Sequence, residues 1–228
     1  MLLAEEFLLL CIDHETGKKI ISSDRIEPAL GGALLVELAL MERIGVSPHS
    51  DGWRRRGRVS ITSTTPTDDA ELDAALTKVA QNEGRKVIDL ISTMSRRRIG
   101  KGLQGRLLER LAAAGVLSAE RTKVLGLFGR STWPARDRFA EEEVRQRLHT
   151  ALIVGLTPTE RTVALVALLR ATGLLVKVVP TEDRRKLKAR AKELAEGDWA
   201  AEAVKRAIEE VAAATTAAAV AAAGAASG

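Results

Sequence analysis

The residues of this chain best suited to chemistry are its arginines and lysines. Arg96, Arg97, Arg98 and Lys101 crowd the junction between two short helical patterns, and Arg106 lies just over one turn further on. A helix start beside guanidinium groups is an anion site, because unpaired backbone N–H groups, the helix dipole and forked donors converge there. Two more basic runs, Arg54 to Arg58 and Arg184 to Lys192, are expected to lie in a loop or short strand and on a solvated helix face. Beyond Gly115, the stretch Val124, Leu125, Leu127, Phe128, Gly129-Arg130-Ser131-Thr132 and Trp133-Pro134 has the pattern of a β-hairpin. A tip carrying Leu127, Phe128 and Trp133 suits insertion into a bilayer, with Trp133 at the interface. The same three side chains would also suit packing on the domain or on a second subunit.

Catalytic patterns are missing from the sequence. Gly31-Gly32 falls within a helix rather than after a strand, so no phosphate-binding glycine loop is present. The three histidines lack metal-ligand spacing and have no nearby Ser or Cys in a recognisable motif context. Neither a metal nor a cofactor is expected. A single cysteine, Cys11, excludes an internal disulfide. The formal charge of +5 is compatible with nucleic acid or an anionic membrane and selects neither. Glu5 and Glu6 stand where a signal peptide would be basic, and the opening apolar run is too short to cross a bilayer. A cytoplasmic protein is the expectation.

With 46% apolar residues but only 3% aromatics, the core has to be Leu, Val, Ile and Ala, which favours helices. Asp24 to Ile44 is the organising stretch. Leu30, Leu34, Leu38 and Met41 recur at helical spacing, while Leu35, Val36 and Leu40 fill the other side, so this helix must be enclosed. Asp24 and Glu27 have capping-box spacing, although Pro28 suits a start at Glu27 at least as well; Glu37, a carboxylate amid leucines, must find a backbone or arginine partner. Around it the spacing predicts helices over Leu2 to Ile12, with Glu5 and Glu6 outside, Asp69 to Gln81, Lys86 to Met94 and Leu103 to Ala114. After the hairpin come Ala140 to Gly155, Thr159 to Val178, Glu182 to Glu196 and Ala200 onwards. Ile20 and Ile21 suit a short strand. The fold class is all-α: a single domain of amphipathic helices around one buried helix, with one hairpin. The domain is expected over residues 1–211, and the Ala-rich remainder, 212–228, as a fraying helix with no packing face.

In order along the chain, LLAEEFLLLCID, ALGGALLVELALMERI, TPTDDAELDAAL, RLLERLAAAGVL and EEVRQRLHTAL resemble the Golgi phosphoprotein 3 family, over roughly Leu2 to Val211. The resemblance implies peripheral binding to the cytoplasmic face of a membrane through the head group of phosphatidylinositol 4-phosphate. It also implies an adaptor role without enzymatic activity. Partners would be anionic lipid, protein tails, and a second copy through the hairpin. The family's head-group tryptophan falls on Ser22, an arginine within the central helix on Gly31, and two arginines before the hairpin on Lys101 and Gln104. Only Lys101 keeps a charge there, with Arg97, Arg98 or Arg106 available to compensate, so weak selectivity for the 4-phosphate is expected. The sequence opens on the domain without the basic extension of the family, and coat recruitment is not expected. Abundant Arg and Ala suit a GC-rich bacterial source. A second reading comes from another class. A basic helix ending at Gly115, then a hairpin with Arg130, Arg136 and Arg138, is also how a winged helix-turn-helix presents itself to DNA.

Overall fold

An all-round apolar helix has to be wrapped by its neighbours, and a computed structural model shows the wrapping. It describes residues 1–47, 57–95, 102–124, 128–196 and 202–225. The central helix is α2 (Ser23–Leu40), in which Ile26, Leu30, Leu35, Val36 and Leu38 are all essentially inaccessible to water. It starts at Ser23, with no side-chain cap, rather than at a capping box on Asp24. Pro28 is accommodated near its start, where the carbonyl it leaves unbonded is that of the exposed Asp24.

Around α2 pack α1 (Leu3–Leu9), α3 (Ala70–Ala80), α4 (Val87–Ser95), α5 (Leu103–Ala113), α7 (Glu160–Ala171) and α10 (Glu202–Ala225). Asp69 caps α3 by accepting from the N–H groups of Glu71 and Leu72 at 3.0 and 3.2 Å. Gly115, at φ +77°, ends α5, with the Val116 N–H returning to the Leu111 carbonyl at 3.0 Å. The outer elements are α6 (Phe139–His149), a π-helical turn (Thr150–Val154), α8 (Leu175–Val178) and α9 (Arg184–Glu196). A left-handed Gly173 breaks the single long helix expected over Thr159 to Val178 into α7 and α8.

Strands are few. The expected hairpin is β3 (Glu120–Val124) with β4 (Phe128–Thr132), paired antiparallel from Glu120↔Thr132 to Val124↔Phe128. A second antiparallel pair, β1 (Ile44–Val46) with β2 (Val59–Ile61), was not expected; three-residue strands carry too little alternation to stand out. The strand expected at Ile20-Ile21 reduces to one bridge, Ile12↔Lys19.

Two expectations about exposure are overturned. Glu5 and Glu6 are 3% and 5% exposed, not outside, because arginines from later helices close over them. Arg110 meets Glu5 at 2.8 Å and Asp69 at 2.6 Å, and Arg147 meets Glu6 at 2.7 Å. Arg161 bonds Glu6 at 2.9 Å, pairs with Glu37, and donates to the Met1 carbonyl at 2.7 Å. Glu37 also accepts the Leu3 N–H at 2.5 Å, so its partners are the backbone and the arginine its position demanded. Burial alone would lower the pKa of Arg161, but Glu37 and Glu6 outweigh it and hold the guanidinium above its ordinary value.

The Ala-rich end is the other correction. α10 runs unbroken past Val211, and Ala214 and Thr215 are buried. The close approach occurs at Gly32, where an added Cβ would lie 2.6 Å from Val211 Cγ1 and 3.3 Å from Thr215 Oγ1. Small side chains look featureless in sequence but allow this close crossing. Val204–Gly224 is long and apolar enough to cross a membrane by length and composition alone, although 33% of it is buried in the domain.

Removing the guanidinium of Arg161 while keeping its bulk, as Arg161→Met, strands Glu6 and Glu37 with fewer partners. Urea unfolding of that variant should show a loss of about 3–5 kcal/mol, and adding Glu37→Gln should recover part of it.

Candidate head-group cleft

The turn after α1 positions the site. Asp13 accepts from the Thr16 hydroxyl at 2.7 Å and from its N–H at 2.8 Å, which holds the Asp13 carboxyl below its usual range. Gly17, at φ +63°, lies so close to the foot of the hairpin that a Cβ would come within 2.3 Å of the backbone nitrogens of Trp133 and Pro134. The Trp133 N–H donates to the Gly17 carbonyl and the Ala135 N–H to that of His14, both at 3.0 Å. The turn, the hairpin foot and the N-terminal half of α5 are thus tied around one cleft of about 490 Å³.

Its inner wall is apolar at Ile12 and Leu108 and polar at Glu27 and Gln104, which are 8% and 5% exposed. Lys18, Lys19, Glu109 and Glu120 form an exposed rim, and Lys19 reaches the Ser23 hydroxyl at 2.5 Å. Gly102 and Gly105 bring the α5 backbone to the cleft without intervening side chains. The described lining carries two lysines and three glutamates, and Glu27 is also within electrostatic reach of Arg106. The Gln104 amide nitrogen is buried and has no hydrogen-bond partner among the described residues. A buried donor left without a partner costs about 1–3 kcal/mol, which a ligand acceptor would repay.

The family model described as Golgi phosphoprotein 3 (GPP34) matches residues 3–211. The chain belongs to the Golgi phosphoprotein 3 family. It is also similar to the vacuolar protein sorting-associated protein 74 of Eremothecium gossypii, 31% identical over 211 residues. That match covers 81% of this chain and 63% of the relative, so the chain spans just under two thirds of the length of this curated relative.

Of the candidate site residues named from the sequence, the cleft takes Gln104, from the family resemblance, and Trp133, from the hairpin pattern. Ser22 is the exposed residue before α2, and Gly31 is buried within α2; neither lines the cleft. Arg106 is not among the lining residues and makes a two-pronged pairing with Glu71 at 2.7 and 2.9 Å. That pairing holds the guanidinium above its ordinary pKa against the effect of burial, with Glu27 adding to it. Lys101, Arg97, Arg98 and Leu127 lie outside the described residues, as do Arg54 to Arg56. Phe128 opens β4 opposite Val124, next to the turn.

Trp133 is not at the hairpin tip. The register pairs Val124 with Phe128 at one end and Glu120 with Thr132 at the other, so Trp133, just past the end of β4, stands at the foot, half-buried against the core. Sequence reasoning missed Lys18, Lys19, Glu27, Glu109 and Glu120. The turn signal at Gly17 was visible, but nothing local says that it packs on the hairpin foot some 115 residues later in the chain.

Because the Gln104 amide is unsatisfied in the free protein, Gln104→Met should leave the fold intact and raise its stability by about 1 kcal/mol. Thermal unfolding of both proteins without ligand checks this: a clear fall in midpoint would mean that the amide is structural.

Proposed function

We propose that this chain is a non-enzymatic, peripheral membrane protein that docks on the cytoplasmic face of an anionic membrane and serves there as an adaptor. Its head groups would be of the phosphoinositide type, held with weak selectivity for phosphatidylinositol 4-phosphate. The observation that carries the reading is the joining of cleft and hairpin: the same turn that forms the cleft wall is bonded to the foot of β4. A head group held in the cleft would therefore bring the hairpin to the membrane interface. Membership of the Golgi phosphoprotein 3 family supports it, and the name of the relative, a sorting-associated protein, supports the adaptor role.

The attraction to the surface would come from the basic residues, each contributing about 1 kcal/mol near an anionic leaflet. Leu127 and Phe128 would add a hydrophobic contribution on the order of 1.5–3 kcal/mol per fully buried side chain. Those two contributions respond differently to salt.

Flotation with phosphatidylserine-containing liposomes tests both. Binding should fall steeply as NaCl rises from about 0.1 to 0.5 M, where the screening length drops to a few ångströms. Leu127→Ser with Phe128→Ser should weaken binding about tenfold or more at low salt, with an unchanged circular dichroism spectrum. Lys101→Glu should weaken it at low salt only. Duplex-DNA binding at physiological salt with no flotation would contradict the proposal and favour the winged-helix reading.

A further inference from the structure

We infer that the outward face of α6 and its π-helical turn is where a second copy of this chain docks, the two helices lying antiparallel about a two-fold axis at Gln146. The inner line of this segment, Val144, Leu148 and Leu152, is buried in the domain. The opposite line has an apolar group at each end. Phe139, the first residue of α6, is 72% exposed, and Val154, the last of the π-helical turn, is 59% exposed, with Ile153 and Leu156 exposed beside it. The Gly155 N–H reaches back five residues to the Thr150 carbonyl at 3.0 Å, which widens the last turn and returns Val154 to the line of Phe139 and Gln146.

Both ends are held in place. The Phe139 N–H donates to Asp137 Oδ1 at 2.9 Å, and the N–H groups of Arg136 and Asp137 donate to the Val116 carbonyl at 3.0 and 3.2 Å. At the other end the Arg190 guanidinium donates to the carbonyls of Ala151 and Gly155 at 3.3 and 3.1 Å. Large apolar side chains fixed in water mark an interaction surface.

Spacing and charge make this face complementary to itself. Phe139 precedes Gln146 by seven residues and Val154 follows it by eight, about 10–12 Å either way at about 1.5 Å per residue. A two-fold axis reverses the partner helix, so Phe139 meets the partner's Val154 at both ends of the pair. Glu142 and His149 share one flank of the face, four residues before Gln146 and three after it. The same rotation therefore sets Glu142 against the partner's His149, whose ring N–H can donate to the carboxylate. Glu142 is otherwise tied only to Arg138, in an exposed pair at 3.5 Å that contributes little. On the axis Gln146 meets its own copy, and an amide both donates and accepts. An anionic bilayer suits the face less well, because Asp137, Glu142 and Glu143 are exposed beside Phe139. The face is about 24 Å long, the size of a weak, reversible pairing rather than an obligate one. This contact is separate from the head-group cleft and from the hairpin. A dimer would carry two hairpins at equal height along its axis, and so add avidity at a membrane.

Cysteine cross-linking of the full chain tests the register, since the native Cys11 is buried. Helices packed about 8–10 Å apart, with Cα atoms about 2.3 Å from each axis, bring residues on the facing line within disulfide reach. Gln146→Cys should give a disulfide-linked dimer under mild oxidation. Phe139→Cys and Val154→Cys should each fail to link alone, because either residue lies about 20 Å from its own counterpart, and should link when the two proteins are mixed. Without cross-linking, sedimentation velocity should show a dimer with a dissociation constant in the micromolar range. Phe139→Glu should raise that constant at least about tenfold, and Leu127→Ser with Phe128→Ser should leave it unchanged.

A protein that sediments as a monomer up to about 0.2 mM would overturn the inference. So would single variants that link as well as the mixture, or a dimer that survives Phe139→Glu and is lost in the hairpin variant. None of these readings depends on liposome flotation, so the membrane proposal can fail while the pairing stands, and the reverse.

Discussion

A charged group buried among leucines is the constraint on which this fold turns. Glu37 lies 8% exposed in the central helix, and an unpaired carboxylate there would be costly. Arg161 answers it from α7, and the same guanidinium takes Glu6 on α1 and the carbonyl of Met1. One side chain therefore fixes the approach of two helices to α2. Arg110 repeats the device, joining α5 to Glu5 on α1 and to Asp69, the cap of α3. Burial pushes the Asp69 carboxyl up, but Arg110 and two backbone N–H groups outweigh it and hold it below the usual range. A depressed carboxyl pKa means that its stabilisation is present at neutral pH and fades as pH falls through the folded value.

These ties set where the cleft can open. With α1 locked on α2, the chain emerging at Asp13 must turn back beside the N-terminal half of α2. Its glycine turn then meets the foot of the hairpin that follows α5. The cleft is thus a by-product of three junctions rather than a feature of one element. Its polar inner wall reflects that origin, with Glu27 on α2 and Gln104 on α5. Trp133 adds an apolar wall at the foot of the hairpin.

Much of this was legible in the sequence, and the misses share a cause. The apolar circumference of α2, the stop at Gly115, the span of α3 and the β3–β4 hairpin follow from local period and turn chemistry. So does the demand of Glu37 for a partner. Glu5 and Glu6 were misread as exposed because their arginine partners lie on helices about 105 and 140 residues away. The end of α10 was misread because alanine has no contrast with which to mark a face, although it packs closely over Gly32. Trp133 was placed at a tip because alternation cannot fix the turn of a hairpin, whereas the strand register does. In the cleft, the family resemblance reached Gln104 but gave no sign of Glu27 opposite it or of the lysines at the mouth.

The most direct measurement is on the Gln104 side chain itself. In a nitrogen-15 NMR titration with a short-chain, soluble phosphatidylinositol, the account predicts that the Gln104 side-chain amide pair and the backbone amides of Lys18 and Gly105 shift together, with one saturating curve. Saturable shifts confined to other surfaces, with the Gln104 amide unmoved, would contradict it.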